Sequence, residues 1–342
     1  MTDIKVLLEA LPGGSMLVDC GEKAWNWLIP EGSCSAATPL ASEEAVPDVV
    51  AYFDQSEGDY RFAWDLGVSK SLHIGYWDSL TWSLRGALAR QNEVLAEFGN
   101  VWDCSNVFDA GCGVGGSAIF LAKTYDCTVT GMTLSKRQQQ LAIKYAAAAN
   151  VTGAEFLVGD YTNTGLPAGQ YDFVWALEST CYASSLTAFA SEAYRLLKPG
   201  GVLVIADAYL TRRSYGVDER ATLDRWLHSW AVKSIPTVDD ASKVFRSAGF
   251  IETRWADITR YVLPSAYLLY LRALAALPLG RALQLLGRRS EWQQRNLAGA
   301  YYQYEVCRQD LARYHMVCTY KPRAHSDQPA RRSHRRRSHR RA

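Results

Sequence analysis

Between residues 105 and 210, short apolar runs alternate with longer stretches in which apolar residues recur every three or four positions. The runs "NVFDAG", "CTVTGM", "AEFLVGD", "YDFVWAL" and "GVLVIADAYL" are rich in Val, Ile, Leu and Phe and bounded by turn residues, the pattern of strands buried on both faces. Between them, "GSAIFLAKTY", "SKRQQQLAIKYAAAAN" and "SLTAFASEAYRLLK" read as helices. Strand and helix in alternation predict an α/β fold with a doubly wound, mostly parallel sheet. Two further strands, "FIETRWADI" and "RYHMVCTYKP", bring the count to seven and flank an excursion at about 259–311. Excursions of roughly fifty residues are usually functional, and this one is expected to be a helical cap inserted between the last two strands.

The first fifty residues have a different texture. Stretches such as "PEGSCSAATPLASEEAVPD" mark residues 1–50 as a lead-in ending in a linker, residues 51–320 as the folded domain and residues 321–342 as a disordered basic tail. Charge separates the same regions. The last 22 residues carry nine Lys/Arg and one acid, so the preceding 320 carry 28 basic and 34 acidic residues despite a formal net charge of +2. An acidic body argues against specific nucleic-acid binding. The tail reads as a solvated end, and electrostatic docking to anionic lipid, a peripheral membrane contact, is its second reading. Eight scattered cysteines without a CxxC pair suggest reduced thiols in a cytoplasmic protein, and nothing calls for a metal. The apolar segment 261–280 contains Arg272 and two prolines, so it falls short of a membrane span; it reads as a cap over an apolar pocket, with contact to a bilayer surface as its second reading.

The chemistry concentrates at "FDAGCGVGGS", residues 108–117, a strand that turns through glycines into a helix. Gly111, Gly113 and Gly116 satisfy G-x-G-x-x-G, a pattern open to dinucleotides as well as to other adenosyl ligands. A nicotinamide dinucleotide would want an acid at the end of the second strand, where "TVTGMTLS" offers none. The acids stand instead at Asp109 beside the glycine turn, Asp160 after the third strand and Glu178 after the fourth. Asp109 there can hold an ammonium group, and Asp160 an adenine amino group with Tyr161 flanking the ring. The array favours S-adenosylmethionine.

Together with "GMTLSKRQ", "GDY", "YDFVWALEST" and "LLKPGG", this run resembles the class I S-adenosylmethionine-dependent methyltransferases, with their Rossmann-like sheet. The stretch "VTGMTLSKRQ" is similar to the branch of cyclopropane fatty acid synthases, sterol and tocopherol C-methyltransferases and related small-molecule enzymes. The resemblance implies that Thr133 and Leu134 line ribose and adenine and that Gln138 reaches the ribose hydroxyls. Upstream, "AYFDQSEGDYRFAWDLGVSKSLHIGYWD" resembles the N-terminal lid of that branch. It implies that His73, Gly75 and Tyr76 contact the methionine part and that Tyr52 approaches the sulfonium, whose charge is attracted to aromatic faces. "SLHIGYWD" departs from the cyclopropane synthases at this point and favours a soluble natural-product or isoprenoid substrate over phospholipid.

Methyl transfer is an in-line displacement, so the protein mainly aligns its reactants. A heteroatom acceptor also needs a base, and an alkene acceptor needs aromatic faces for the resulting cation plus a base to end the reaction. Glu178 in "ALESTCYA" is the first candidate for base or cation stabiliser, with His73 second. A helix-capping carboxylate and a packed histidine are the plain alternatives. Cys181 reads as a buried filler. Trp226, His228 and Trp230, and one or two of the cap residues Tyr267, Tyr270, Tyr301, Tyr302 and Tyr304, are expected to meet the acceptor. The expected activity is methylation of a lipophilic small molecule, at carbon of an isoprenoid, sterol or prenylated ring ahead of oxygen or nitrogen in a natural product or amine. A cofactor-binding protein without turnover is the remaining reading. Oligomeric state is not legible.

Overall fold

A computed structural model describes residues 45–63, 66–103 and 105–323, with backbone only at both ends of the first segment. The expected lead-in falls almost wholly, and the basic tail largely, outside the described residues. Seven strands form one sheet: β1 Asn106–Ala110, β2 Thr128–Thr133, β3 Ala154–Val158, β4 Tyr171–Leu177, β5 Leu197–Leu210, β6 Ile251–Asp257 and β7 Ala312–Tyr320. Their spatial order is β3-β2-β1-β4-β5-β7-β6. The first five run parallel, and β7 lies antiparallel between β5 and β6. Ten α-helices accompany them among the described residues, with one 3-10 turn at Thr180–Tyr182. They are α1 Ala45–Ala63, α2 Leu66–Ser69, α3 Leu84–Gly99, α4 Gly116–Tyr125, α5 Lys136–Ala148, α6 Leu186–Leu196, α7 Val217–Ser229, α8 Val238–Ser247, α9 Thr259–Leu285 and α10 Glu291–Arg308.

The central strands β1, β4 and β5 are apolar in succession because both faces of the sheet are covered. Val107, Phe173, Trp175 and Val204 pack under one layer, and Phe108, Val174, Leu203 and Ile205 under the other. Strand order reverses between β1, which pairs with β2, and β4. That crossover leaves a crevice beyond the strands' carboxyl ends, where ligands of such sheets bind.

Two additions close the crevice. The cap is the antiparallel pair α9 and α10, which come close where a Cβ on Gly280 would lie 2.6 Å from Gln294 Oε1. The lid is α1, tied at both flanks. On one side the Ser135 hydroxyl donates to Asp54 at 2.6 Å and Arg137 pairs with Glu57. On the other the Tyr52 hydroxyl donates to Asn296 Oδ1 at 2.8 Å and Arg289 pairs with Asp59 at 2.6 Å. The Arg289–Asp59 pair is mostly shielded from solvent, so cutting one partner would strand a charge.

Candidate active site

A large cavity opens at the crossover, walled by the turns after β1, β2, β4 and β5 and roofed by α1, α7, α9 and α10. The strand order divides it. Residues following β1 and β2 form one end, and residues following β4 and β5, with those of β7 and the cap, form the other.

At the first end the backbone dominates. Gly111, Gly113 and Gly115 have φ of 80°, 52° and 85°, a region that favours glycine. Space demands glycine as well: a Cβ on Gly111 would lie 2.5 Å from Ser179 Cβ, and one on Gly116 would lie 2.1 Å from the Lys70 carbonyl oxygen. Gly115 caps α4 without a side-chain hydrogen bond of its own, so among the first N–H groups of the helix that of Ala118 is met instead by the Asp109 carboxyl. Asp109 is 2% exposed, and its Oδ2 has no hydrogen-bond partner. Burial pushes its carboxyl up to about 7, against the pull of a hydrogen bond from the Ala118 N–H. Across β2, the Thr133 hydroxyl donates to Gln138 Oε1 at 2.6 Å, and Leu134 completes that wall.

At the second end side chains dominate. Glu178 follows β4 with φ 50°, an uncommon conformation for a non-glycine residue and one often retained at functional sites. Its N–H donates to Ala206 at 2.8 Å, and the neighbouring Ser179 hydroxyl donates to Ala110 at 2.6 Å, which hold the turn. The carboxyl accepts from the Ile74 N–H at 2.5 Å and faces the Tyr314 phenol, which is not aligned for a hydrogen bond. Burial pushes the Glu178 carboxyl up to about 8, opposed by its contacts with Tyr314 and the Ile74 N–H and reinforced by Asp207. Asp207 on β5 is itself buried and accepts from the Thr180 hydroxyl at 2.6 Å and the Cys181 N–H at 3.1 Å. Phe53, Tyr60 and Tyr182 close one side, and Trp226, Trp230, Leu227 and Leu269 the other. The Trp226 indole donates to Gln303 at 3.0 Å, fixing its ring against α10.

Comparison with known proteins bears on this geometry. A family model described as a methyltransferase domain matches residues 108–205. The 27-O-demethylrifamycin SV methyltransferase of Amycolatopsis mediterranei is 30% identical over 197 residues, 57% of this chain and 72% of that protein. The chain belongs to the class I S-adenosylmethionine-dependent methyltransferases. The 2-methyl-6-phytyl-1,4-hydroquinone methyltransferase of Synechocystis sp. is 33% identical over 167 residues, 47% of this methyltransferase and 52% of that protein, so the match spans about half of the relative's length. The cyclopropane synthase of Mycobacterium tuberculosis shares the fold, with a TM-score of 0.70 at 16% identity over 83% of this chain and 100% of that one.

The cofactor of the methyltransferase is S-adenosylmethionine, and the residues present fit it. The glycine cradle leaves no room for a Cβ, and the orphaned Asp109 oxygen lacks the donor that an α-ammonium group would supply. Asp109, Gly111, Gly113, Thr133, Leu134, Gln138 and Tyr161 all line this end. Tyr161 is held by its hydroxyl, which donates to Ser179 at 2.6 Å. Asp160 does not line the cavity; its Oδ1 caps the turn by accepting from the Thr162 N–H and hydroxyl, both at 2.7 Å.

The upstream residues divide. His73 lines the cavity, but both ring nitrogens are engaged: Nδ1–H donates to the Ile74 carbonyl at 2.9 Å, and Nε2 accepts from Asn92 at 3.2 Å. The acceptor-only carbonyl fixes this tautomer. Burial pushes His73 down to about 4, so it stays neutral and is bound as a packed, orienting histidine rather than as a proton acceptor. Gly75 and Tyr76 depart from expectation and do not line the cavity. A Cβ on Gly75 would lie 2.7 Å from Ala87 Cβ, and Tyr76 stacks on Tyr261 of the cap with centroids 4.5 Å apart. Tyr52 also departs: it is fully buried behind the wall, bonded to Tyr60 and Asn296, and Phe53, Tyr60 and Tyr182 present the aromatic surface instead. Of the later aromatics, Trp226 and Trp230 reach the cavity and His228 is exposed. Tyr267, Tyr270, Tyr301 and Tyr304 stack among themselves between α9 and α10, with Tyr270 5.2 Å from Tyr301 and 5.0 Å from Tyr304. The cap reaches the cavity through Leu269 and Gln303. Asp207, Gln303 and Tyr314 had no sequence signal beyond their place near strand ends and in the cap.

Proposed function

We propose that the protein moves the methyl group of S-adenosylmethionine onto a carbon of an uncharged lipophilic acceptor, an isoprenoid, sterol or prenylated ring. The bound cofactor supplies a methyl group on positively charged sulfur, and the chain supplies alignment and a proton acceptor. One observation carries the reading: the half-buried Glu178 opens on a chamber walled by Phe53, Tyr60, Tyr182, Trp226 and Trp230. Attack by a carbon double bond leaves a carbocation, which such ring faces stabilise by up to about 2 kcal/mol each when water is excluded. Glu178, with its proton affinity raised by burial, then takes the proton that restores the double bond or ring. The relative that acts on a phytyl hydroquinone, by its name, uses an acceptor of this class.

A diphosphate acceptor fits less well. Among the described residues the cavity wall carries one basic side chain, Lys70, and it lies at the glycine end. A second reading, methylation at oxygen or nitrogen, draws support from the rifamycin relative, whose name places its substrate among O-demethylated compounds. In that case Glu178 would take the proton of a hydroxyl held beside Tyr314. Incubation with methyl-labelled cofactor and a panel of sterols, prenylated quinols, isoprenoid diphosphates and hydroxylated macrocycles, followed by mass spectrometric location of the label, tests the reading. Label on carbon of a neutral terpenoid or quinol is expected. Label only on oxygen or nitrogen would replace carbon methylation with the second reading, and cofactor binding without any transfer would overturn both.

A further inference from the structure

We propose that the outward face of the cap helix α9 docks on an anionic lipid bilayer. Helix α9 has two opposite faces. Val262, Ala266, Leu269, Ala273, Leu277 and Gly280 recur every three or four residues and are buried against α10 and the body. On the reverse face Leu271, Ala275, Leu279, Ala282 and Leu286 recur at the same spacing and are exposed, with Leu271 43%, Leu279 65% and Leu286 72% exposed, and Leu285 beside them at 66%. This is a continuous apolar stripe of about 22 Å on a helix whose charged side chains are all of one sign. Residues 259–290 contain no Asp or Glu and five arginines; Arg289 is neutralised by Asp59, which leaves those at 260, 272, 281 and 288 beside the ridge. A cationic, apolar ridge on a body that carries more acids than bases is complementary to a negatively charged lipid surface and not to another copy of the acidic body. Seven further arginines at 331–341 add to the same complementarity.

Helix α9 is long and apolar enough to cross a membrane by length and composition, yet a third of its most apolar window is buried in the protein and it contains Pro264 and Pro278. It therefore lies along a surface with one face in the protein. Leu269, on the buried face, lines the cavity, so one helix separates the proposed lipid contact from the acceptor chamber. A membrane-dissolved acceptor would have a short path into the chamber. This last step rests on the proposed substrate class, whereas the docking itself does not.

The test uses the full chain, without acceptor or turnover, in sedimentation with vesicles of phosphatidylcholine alone or mixed with about one third phosphatidylglycerol. Binding to the mixed vesicles is expected to exceed binding to the neutral ones at least tenfold. The paired substitution Leu279→Asp and Leu286→Asp is expected to lower it at least tenfold while titration with S-adenosylhomocysteine still gives wild-type affinity, which shows an intact fold. Failure of the wild-type chain to bind the mixed vesicles overturns the proposal. So does undiminished binding by the paired variant, which would assign the contact to the basic tail. A dimer that the paired variant splits, without vesicle binding, would also overturn it in favour of a second copy. None of these outcomes depends on whether carbon, oxygen or nitrogen is methylated.

Discussion

The two ends of the cavity are built from different material. The cofactor end is mostly backbone: three glycines at positive φ, the start of α4 and one orphaned carboxylate, drawn largely from residues 109–117 and 133–138. The end proposed for the acceptor is side chains, gathered from Phe53 and Tyr60 on α1, Glu178 and Tyr182 after β4, Trp226 and Trp230 around α7, and Tyr314 on β7. A backbone cradle accepts one shape and tolerates no added atom. A side-chain chamber can be resized residue by residue while the sheet beneath it stays the same, which is how one fold serves many acceptors.

The sharpest way to break this contrast is at Gly111. Gly111→Val adds atoms where a Cβ already meets Ser179 at 2.5 Å, and it forces a branched residue to φ 80°. The positive φ alone costs about 1–2 kcal/mol, and with the clash a loss of S-adenosylhomocysteine affinity of at least roughly thirtyfold by calorimetry is expected. Affinity within threefold of wild type would show that the cradle does not hold the cofactor.

Glu178→Gln should do the reverse, cutting kcat by roughly a hundredfold or more, within the range of general-base effects, and leaving cofactor affinity within threefold. The pH profile carries its sign. A base must be unprotonated, so wild-type kcat should rise with pH through about 8, and that limb should vanish in the variant. Stability should respond too. Because the folded carboxyl is raised above its unfolded value of 4.5, the folded state holds the proton longer, and stability contributed by Glu178 falls as pH rises from there through about 8. Glu178→Gln is therefore expected to melt a few degrees higher than wild type at pH 8 to 9 by calorimetry, as removal of a strained or desolvated functional group often does. A lower melting temperature with unchanged kcat would make Glu178 a structural carboxylate.

Trp226→Leu leaves the cradle untouched and enlarges the chamber. An acceptor KM raised roughly tenfold, corresponding to about 1.4 kcal/mol, with unaltered cofactor affinity is expected. A matching loss of cofactor affinity would erase the distinction between the ends. His73→Gln should lower kcat less than tenfold and introduce no change near pH 6, since the ring is already neutral with burial holding it near 4. The smallest effect belongs to Asp160→Asn, expected to alter cofactor affinity less than about twofold because the side chain caps its own turn. A tenfold loss would instead put Asp160 on the adenine.

How far the sequence reached follows the same division. The apolar runs, the glycine turn, and the placement of Asp109, Thr133 and Glu178 were readable because each lies at a strand end, with Gln138 in the first turn of the helix that follows β2, and the sheet order converts a strand end into a place at the crossover. The upstream segment was misjudged by one turn or one neighbour. Tyr52 points into the core while Phe53 faces the cavity, and His73 and Ile74 reach the site while Gly75 and Tyr76 turn onto α3 and the cap. Residues 70–77 form neither strand nor helix, so no periodicity says which of their side chains turns inward, and on α1 the neighbours Tyr52 and Phe53 stand on different sides of the helix. The cap tyrosines show the same ambiguity in a helix, since a stripe that packs on a neighbouring helix and one that lines a pocket have the same spacing.

The amino-acid sequence by itself determined the α/β alternation, the cradle and the cofactor class, because these depend on local propensities and on glycines that only one backbone path requires. Tertiary structure alone decided which aromatic rings line the cavity, that His73 is locked neutral between Ile74 and Asn92, and that α9 turns one apolar stripe inward and leaves the other bare. Those outcomes depend on contacts between residues tens to hundreds of positions apart, such as Tyr52 with Asn296 and Trp226 with Gln303, and the packing that selects them exists only once the sheet, lid and cap have closed on one another.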